Sequence, residues 1–125
     1  MSFDWANYLN LARELQRQGA IHSSKEAELR SSISRAYYAA FCKARNYLRD
    51  RRHLTLSEGP EVHIDVQDAF LNSNDKRLKG VGENLTRLRT YRNRADYQDA
   101  FFRINDASLL CIGLADDVLS ELRGL

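Results

Sequence analysis

Leu78, Val81, Leu85, Leu88, Arg92 and Ala95 recur at alternating steps of three and four, and five of the six are apolar. That spacing lays the six side chains along one stripe of an α-helix, and such a stripe faces a core or a partner helix. The pattern is broken once. Arg92 stands where a leucine belongs, and a guanidinium cannot shed its charge. It must meet anions, polar partners or a water-filled cleft. Conflicts of this kind between local rules mark functional or strained sites.

The same period runs through the rest of the chain. Leu occurs 17 times and Ala 13 times, against nine for Val and Ile together, with one proline and six glycines. Leu and Ala favour helix, whereas β-branched residues favour strand. The composition therefore predicts an all-α fold, and 125 residues fit one domain, 1–125. A first helix is expected over about residues 3–18, with Trp5, Tyr8, Leu11, Ala12 and Leu15 buried and Gly19 as its stop. A second should begin at Ser23, whose spacing to Glu26 suits a capping box, and reach about Arg51. Leu29, Ile33, Ala36, Ala40, then Lys43 or Ala44, and Tyr47 follow one of its faces, widened by Tyr37, Phe41 and Leu48. Pro60 suits the first turn of a short third helix ending near Leu71. After the polar break Asn72–Asp75, a fourth helix is expected over about 76–97, its start weakened by Gly80 and Gly82. A fifth, from Arg103 or Asn105 to Leu122, carries the stripe Ile104, Ala107, Cys111, Leu114, Val118 and Leu122. Every gap is short, so the helices should form an antiparallel bundle of four to five.

Net charge is only +2, but it is unevenly spread. Seven basic residues face three acidic ones from Asp75 to Asp96, whereas two face five from Tyr97 onward. The positive segment suits nucleic acid, or it is a solvated face balanced by the acidic last helix. Cys42 and Cys111 lack metal-ligand spacing and read as buried free thiols of a reducing compartment. No run resembles a signal peptide or a membrane span, so a cytoplasmic protein without membrane contact is expected. Phosphate-loop and zinc signatures are missing, so no metal and no cofactor is expected.

Two constellations carry chemistry. Arg89, Arg92, Asn93, Asp96 and Tyr97 cluster at one helix end, with Arg92 and Asp96 four apart and able to pair. A guanidinium held by a carboxylate is a rigid planar fork that suits phosphate, or it is a cross-link between helices. The second constellation is Ser34-Arg35-Ala36-Tyr37-Tyr38-Ala39-Ala40-Phe41. Its aromatics belong to the core or stack on bases beside Arg35, and Tyr38 is the tyrosine expected to turn its hydroxyl to a cleft. His63 and Asp65 are catalytic partners or ordinary residues of the short third helix.

Residues 33–41, followed by Ala44-Arg45-Asn46-Tyr47-Leu48, resemble the second-helix signature of HEPN domains. Leu88-Arg89-Thr90-Tyr91-Arg92-Asn93-Arg94-Ala95-Asp96-Tyr97 is similar to that family's later helix in its Arg-x-x-Ala-Asp-Tyr form. The resemblance implies a bundle of four or five helices that pairs into a homodimer. It implies an RNA- or nucleotide-binding component of a toxin–antitoxin or defence module, opposed by a small nucleotidyltransferase. Arg92 would contact phosphate and Asp96 would orient it. Asn93, Arg89 and Tyr97 would line the groove with Arg35 and Tyr38. Ribonuclease members follow the arginine, after four to six residues, with a histidine. Here those positions are Tyr97, Gln98 and Asp99, and no histidine follows His63. Arg92, Asp96 and Tyr97 remain the catalytic candidates, and whether the chain is an enzyme stays open. Three roles follow: a binding module, a metal-independent ribonuclease with an altered site, or a purely structural interaction module.

Overall fold

A computed structural model describes residues 2–21 and 25–125. The chain forms five helices and, among the described residues, no strand: α1 (Ala6–Ile21), α2 (Glu26–Arg51), α3 (Val62–Leu71), α4 (Lys76–Tyr97) and α5 (Ile104–Arg123). The expected α4 matches its observed bounds. The N-terminal cap of α4 is Asp75, whose carboxylate accepts from the Arg77 amide at 2.8 Å. Helix α2 starts at Glu26 after Lys25, which makes no side-chain cap bond. Ser23, proposed as the other half of a capping box, lies outside the described residues, as does His22. No helix of the described residues is long and apolar enough to cross a membrane.

Contacts between helices fix their directions. Ser32 of α2 donates to the Ala12 carbonyl of α1 at 2.6 Å, and Lys43 pairs with Asp4 at 2.9 Å. Residue numbers rise along one helix as they fall along the other, so α1 and α2 are antiparallel. Tyr37 and Tyr38 meet Arg92, and Arg30 meets the end of α4, so α2 and α4 are antiparallel as well. Helix α5 completes the bundle against α1, α2 and α4, while α3 lies mainly on α4. The core is continuous through all five helices, with Tyr37, Ile33, Phe70, Leu88, Val66, Val81 and Val118 enclosed. Cys42 and Cys111 are buried free thiols, and burial raises the pKa of both.

Two glycines expected to weaken or stop helices instead serve close packing. Helix α1 runs through Gly19, where a Cβ would sit 2.7 Å from the Leu29 side chain. Gly19 is therefore a contact point between α1 and α2 rather than a stop. At Gly82 a Cβ would lie 2.7 Å from the Leu71 backbone nitrogen, so the end of α3 presses directly on α4. Gly80, half a turn away, has open space.

Arg30 ties the far end of α4 to α2. Its guanidinium donates to the carbonyls of Ala95 at 2.8 Å, Gln98 at 2.7 Å and Asp99 at 3.1 Å. The last carbonyls of a helix have no partner within it, and a cation there also meets the negative end of the helix dipole. The two glycines of α4 separate packing from propensity. Gly80→Ala should raise stability by up to about 1 kcal/mol. Gly82→Ala should lower it, because backbone must move, and urea unfolding of the two variants should give opposite signs.

Candidate functional site

Arg92 remains on the buried stripe that its spacing prescribes. It is 8% exposed, the one charged residue among the buried set. Its guanidinium lies over the rings of Tyr37 and Tyr38, with its carbon 5.3 and 5.5 Å from their centroids. Ring faces carry negative charge density, so they offset part of the cost of burying a cation. Asp96 approaches at 3.8 Å, a loose ion pair with one oxygen 3.5 Å from the Ser34 hydroxyl. The expected Arg92–Asp96 pairing is therefore present but long.

Arg89 and Arg92 both place a fully buried Nε that meets no hydrogen-bond acceptor. A buried donor without an acceptor costs stability, and such groups are few in folded proteins. Neither guanidinium can neutralise itself. The two side chains thus make a cationic, under-satisfied junction between α2, α3 and α4. Asn93 and Tyr97 take a different course. Both are exposed, Tyr97 at 76%, so they sit on the outer face of α4 rather than in the junction.

His63 of α3 joins the junction from the opposite side. Its Nδ1 lies 2.6 Å from the Tyr37 hydroxyl, and its ring stacks on Phe41 with centroids 4.3 Å apart. Burial lowers its pKa first, and the charges of Arg92 and Arg89 lower it further. The same burial raises the pKa of Tyr37, with Arg89 and Arg92 opposing the rise. The pair is therefore a neutral phenol against a neutral imidazole. Asp65 is not the partner of His63. Its carboxylate accepts from the Ser57 amide and hydroxyl. The Tyr37 hydroxyl is engaged inside the fold, whereas Tyr38 lines the neighbouring groove.

Tyr38 leads outward. Arg35 lies over its ring at 5.2 Å and over Tyr8 at 4.7 Å. Arg35, Tyr38 and His63 then open on a groove of about 530 Å³ between α2, the start of α1 and the start of α3. Trp5, Tyr8 and Arg45 line it too. The sequence marks Trp5 and Tyr8 as core positions and assigns no role to Arg45. A helical wheel of α2 finds Arg45, which shares a face with Arg35 and Tyr38. The reach of His63 to Tyr37 spans helices and leaves no local signal. Among the described residues no group of three or more His, Cys, Asp and Glu side chains is placed to hold a metal ion.

Comparison with family models, with curated proteins and with solved structures returned no match.

The sign of the His63 shift fixes a pH dependence. A folded-state pKa below the unfolded value means that the unfolded chain binds the proton first. The contribution of His63 to stability is full above the ordinary histidine pKa. It is lost as pH falls through the depressed folded value. Thermal melts should show acid destabilisation below about pH 6.5, and His63→Gln should remove part of it. An unchanged acid profile in that variant would place the imidazole in solvent.

Proposed function

We propose that the chain is an RNA-binding module of the HEPN type, in which Arg92 and Arg89 take a backbone phosphate. The supporting observation is a pair of neighbouring, permanently charged side chains that the protein leaves short of acceptors, each with an unpaired buried Nε, so that their terminal nitrogens are the groups a phosphate would meet. A phosphate oxygen is the acceptor that such a planar fork fits. Asp96 and Ser34 orient Arg92, and the Tyr37 and Tyr38 rings keep the guanidinium in place. Arg35 and Tyr38 carry the same surface toward the groove. On the HEPN resemblance the working form is a homodimer in a toxin–antitoxin or defence module, opposed by a small nucleotidyltransferase.

Binding should then fall steeply as salt rises, because phosphate contacts release counterions. Arg92→Gln should weaken binding of single-stranded RNA by about tenfold or more while the helical spectrum stays intact. If Arg92→Leu stabilises the fold and wild type binds no RNA at any salt, the arginine is a helix cross-link only, and the module is structural.

A second reading, a metal-independent ribonuclease, is favoured by His63. The histidine missing after Arg92 in sequence has a spatial counterpart on α3, beside the two arginines. A neutral imidazole accepts the proton of a ribose 2′-hydroxyl. The resulting oxygen attacks the adjacent phosphorus, the bond to the 5′ oxygen breaks, and that oxygen leaves protonated from water. The products are a 2′,3′-cyclic phosphate and a 5′-hydroxyl. Arg92 meets the charge that builds on the phosphorus oxygens. Incubation of the protein with RNA in chelator should yield these ends, and His63→Ala and Arg92→Gln should each abolish them. Cleavage that survives in His63→Ala, or none in wild type, removes this reading.

A further inference from the structure

The groove beside His63 is lined by cations and aromatic rings. Two guanidiniums line it, those of Arg35 and Arg45. Among the described residues neither is within ion-pair distance of a carboxylate. Each is held by aromatic faces instead. Arg35 sits over Tyr8 and Tyr38, and Arg45 over Trp5 at 5.6 Å and Phe41 at 6.0 Å. Their remaining side-chain contacts are to neutral oxygens, Ser34 at 3.4 Å for Arg35 and Asn46 at 3.1 Å for Arg45. Glu58 is the one carboxylate on the rim.

Position on the helix sets the scale. Arg35, Tyr38, Phe41, Cys42 and Arg45 fall on one face of α2. Ten residues of α-helix separate the two arginines, about 15 Å along the axis. Neighbouring phosphates of one stacked strand advance about 3.4 Å. A strand of several nucleotides spans that length, whereas a mononucleotide brings one phosphate to the pair of arginines. Between the two cations lie the half-buried rings of Tyr38, Trp5 and Tyr8 and the edge of His63. Alternating cation and ring is the arrangement that receives phosphates and unpaired bases together. A duplex hides its base faces and leaves the rings unused.

We propose that this groove is a track for single-stranded nucleic acid, with phosphates on Arg35 and Arg45 and a base stacked beside Trp5 and Tyr8. The track runs along α2, away from the buried Arg89–Arg92 junction, and extends a bound strand to a second set of contacts. That the strand is RNA rests on the reading given above. The groove itself requires only a flexible polyanion with planar bases.

The chain has a single tryptophan, so its fluorescence reports on this groove alone. Ten-nucleotide uridine and adenosine RNAs, the matching DNAs, a ten-base-pair duplex and AMP are titrated against the full chain. Single strands are expected to quench Trp5 saturably, with duplex and AMP far weaker. Arg45→Gln should weaken single-strand binding about tenfold and reduce the salt slope by about 0.7, with an unchanged melt. If RNA binds, Arg92→Gln weakens it, and neither Trp5 emission nor Arg45→Gln has any effect, the track is overturned and the phosphate reading stands. If Arg45→Gln weakens binding and Arg92→Gln does not, the track stands and the phosphate reading falls. AMP that quenches as tightly as the oligonucleotides makes the groove a mononucleotide pocket and overturns the track. No quenching by any probe overturns it as well.

Discussion

A charge that cannot be switched off is held inside the bundle by ring faces and by one distant carboxylate. Removing a cation from water is costly, and a close acidic partner is the usual remedy. Here the Arg92 guanidinium has Tyr37 and Tyr38 beneath it and Asp96 at 3.8 Å. Two helices must keep their register for that arrangement to persist. Arg30 secures it at the end of α4 through backbone carbonyls, which do not vary with side-chain identity. The alanines of α2 bring the other helices close, and Ala36, Ala39, Ala40 and Ala44 are all enclosed.

The aromatic residues transmit that constraint outward. Arg92 touches Tyr37 and Tyr38; Tyr38 touches Arg35; Arg35 touches Tyr8. In parallel, Tyr37 bonds His63, and His63 stacks on Phe41 beside Arg45. Cations and rings alternate from α4 through α2 to α1. Cationic side chains thus mark a path from the interior to the groove, with Asp96 paired to Arg92 at its inner end. Shape and charge reinforce each other along this line, since each ring fixes a guanidinium plane as well as stabilising it.

Much of this was legible in the sequence. The period of three and four sets the bounds of α4, and it marks Arg92 as the anomaly on the stripe. The stripes of α2, α4 and α5 gave most of the core. Helix starts were less legible: α1 begins at Ala6 and α3 at Val62, each a few residues after the expected position. Gly19 and Gly82 misled for a physical reason: helix propensity scores a glycine for what it lacks locally, whereas these two are selected by a backbone or side chain from another helix. Arg89, Arg92, Asp96, Arg35 and Tyr38 are candidates by their sequence pattern, and the structure brings them near one another. Asn93 and Tyr97 were grouped with them by proximity in sequence, yet a helix turns such neighbours to different faces. His63 was underrated for the opposite reason. Its partner is 26 residues away on another helix, and nothing within its own turn announces it.

Helix α3 is pinned at two points of unequal character. At its end, Leu71 rests on the bare backbone of Gly82, a contact with no side chain to yield. At its start, His63 is held by one phenol and a stacked ring. The connector before it, residues 52–61, is almost wholly exposed. Between these ends Val66 and Phe70 are enclosed in the core, so α3 is held along its length and the groove wall that carries His63 is set by the packing of α3 on α4.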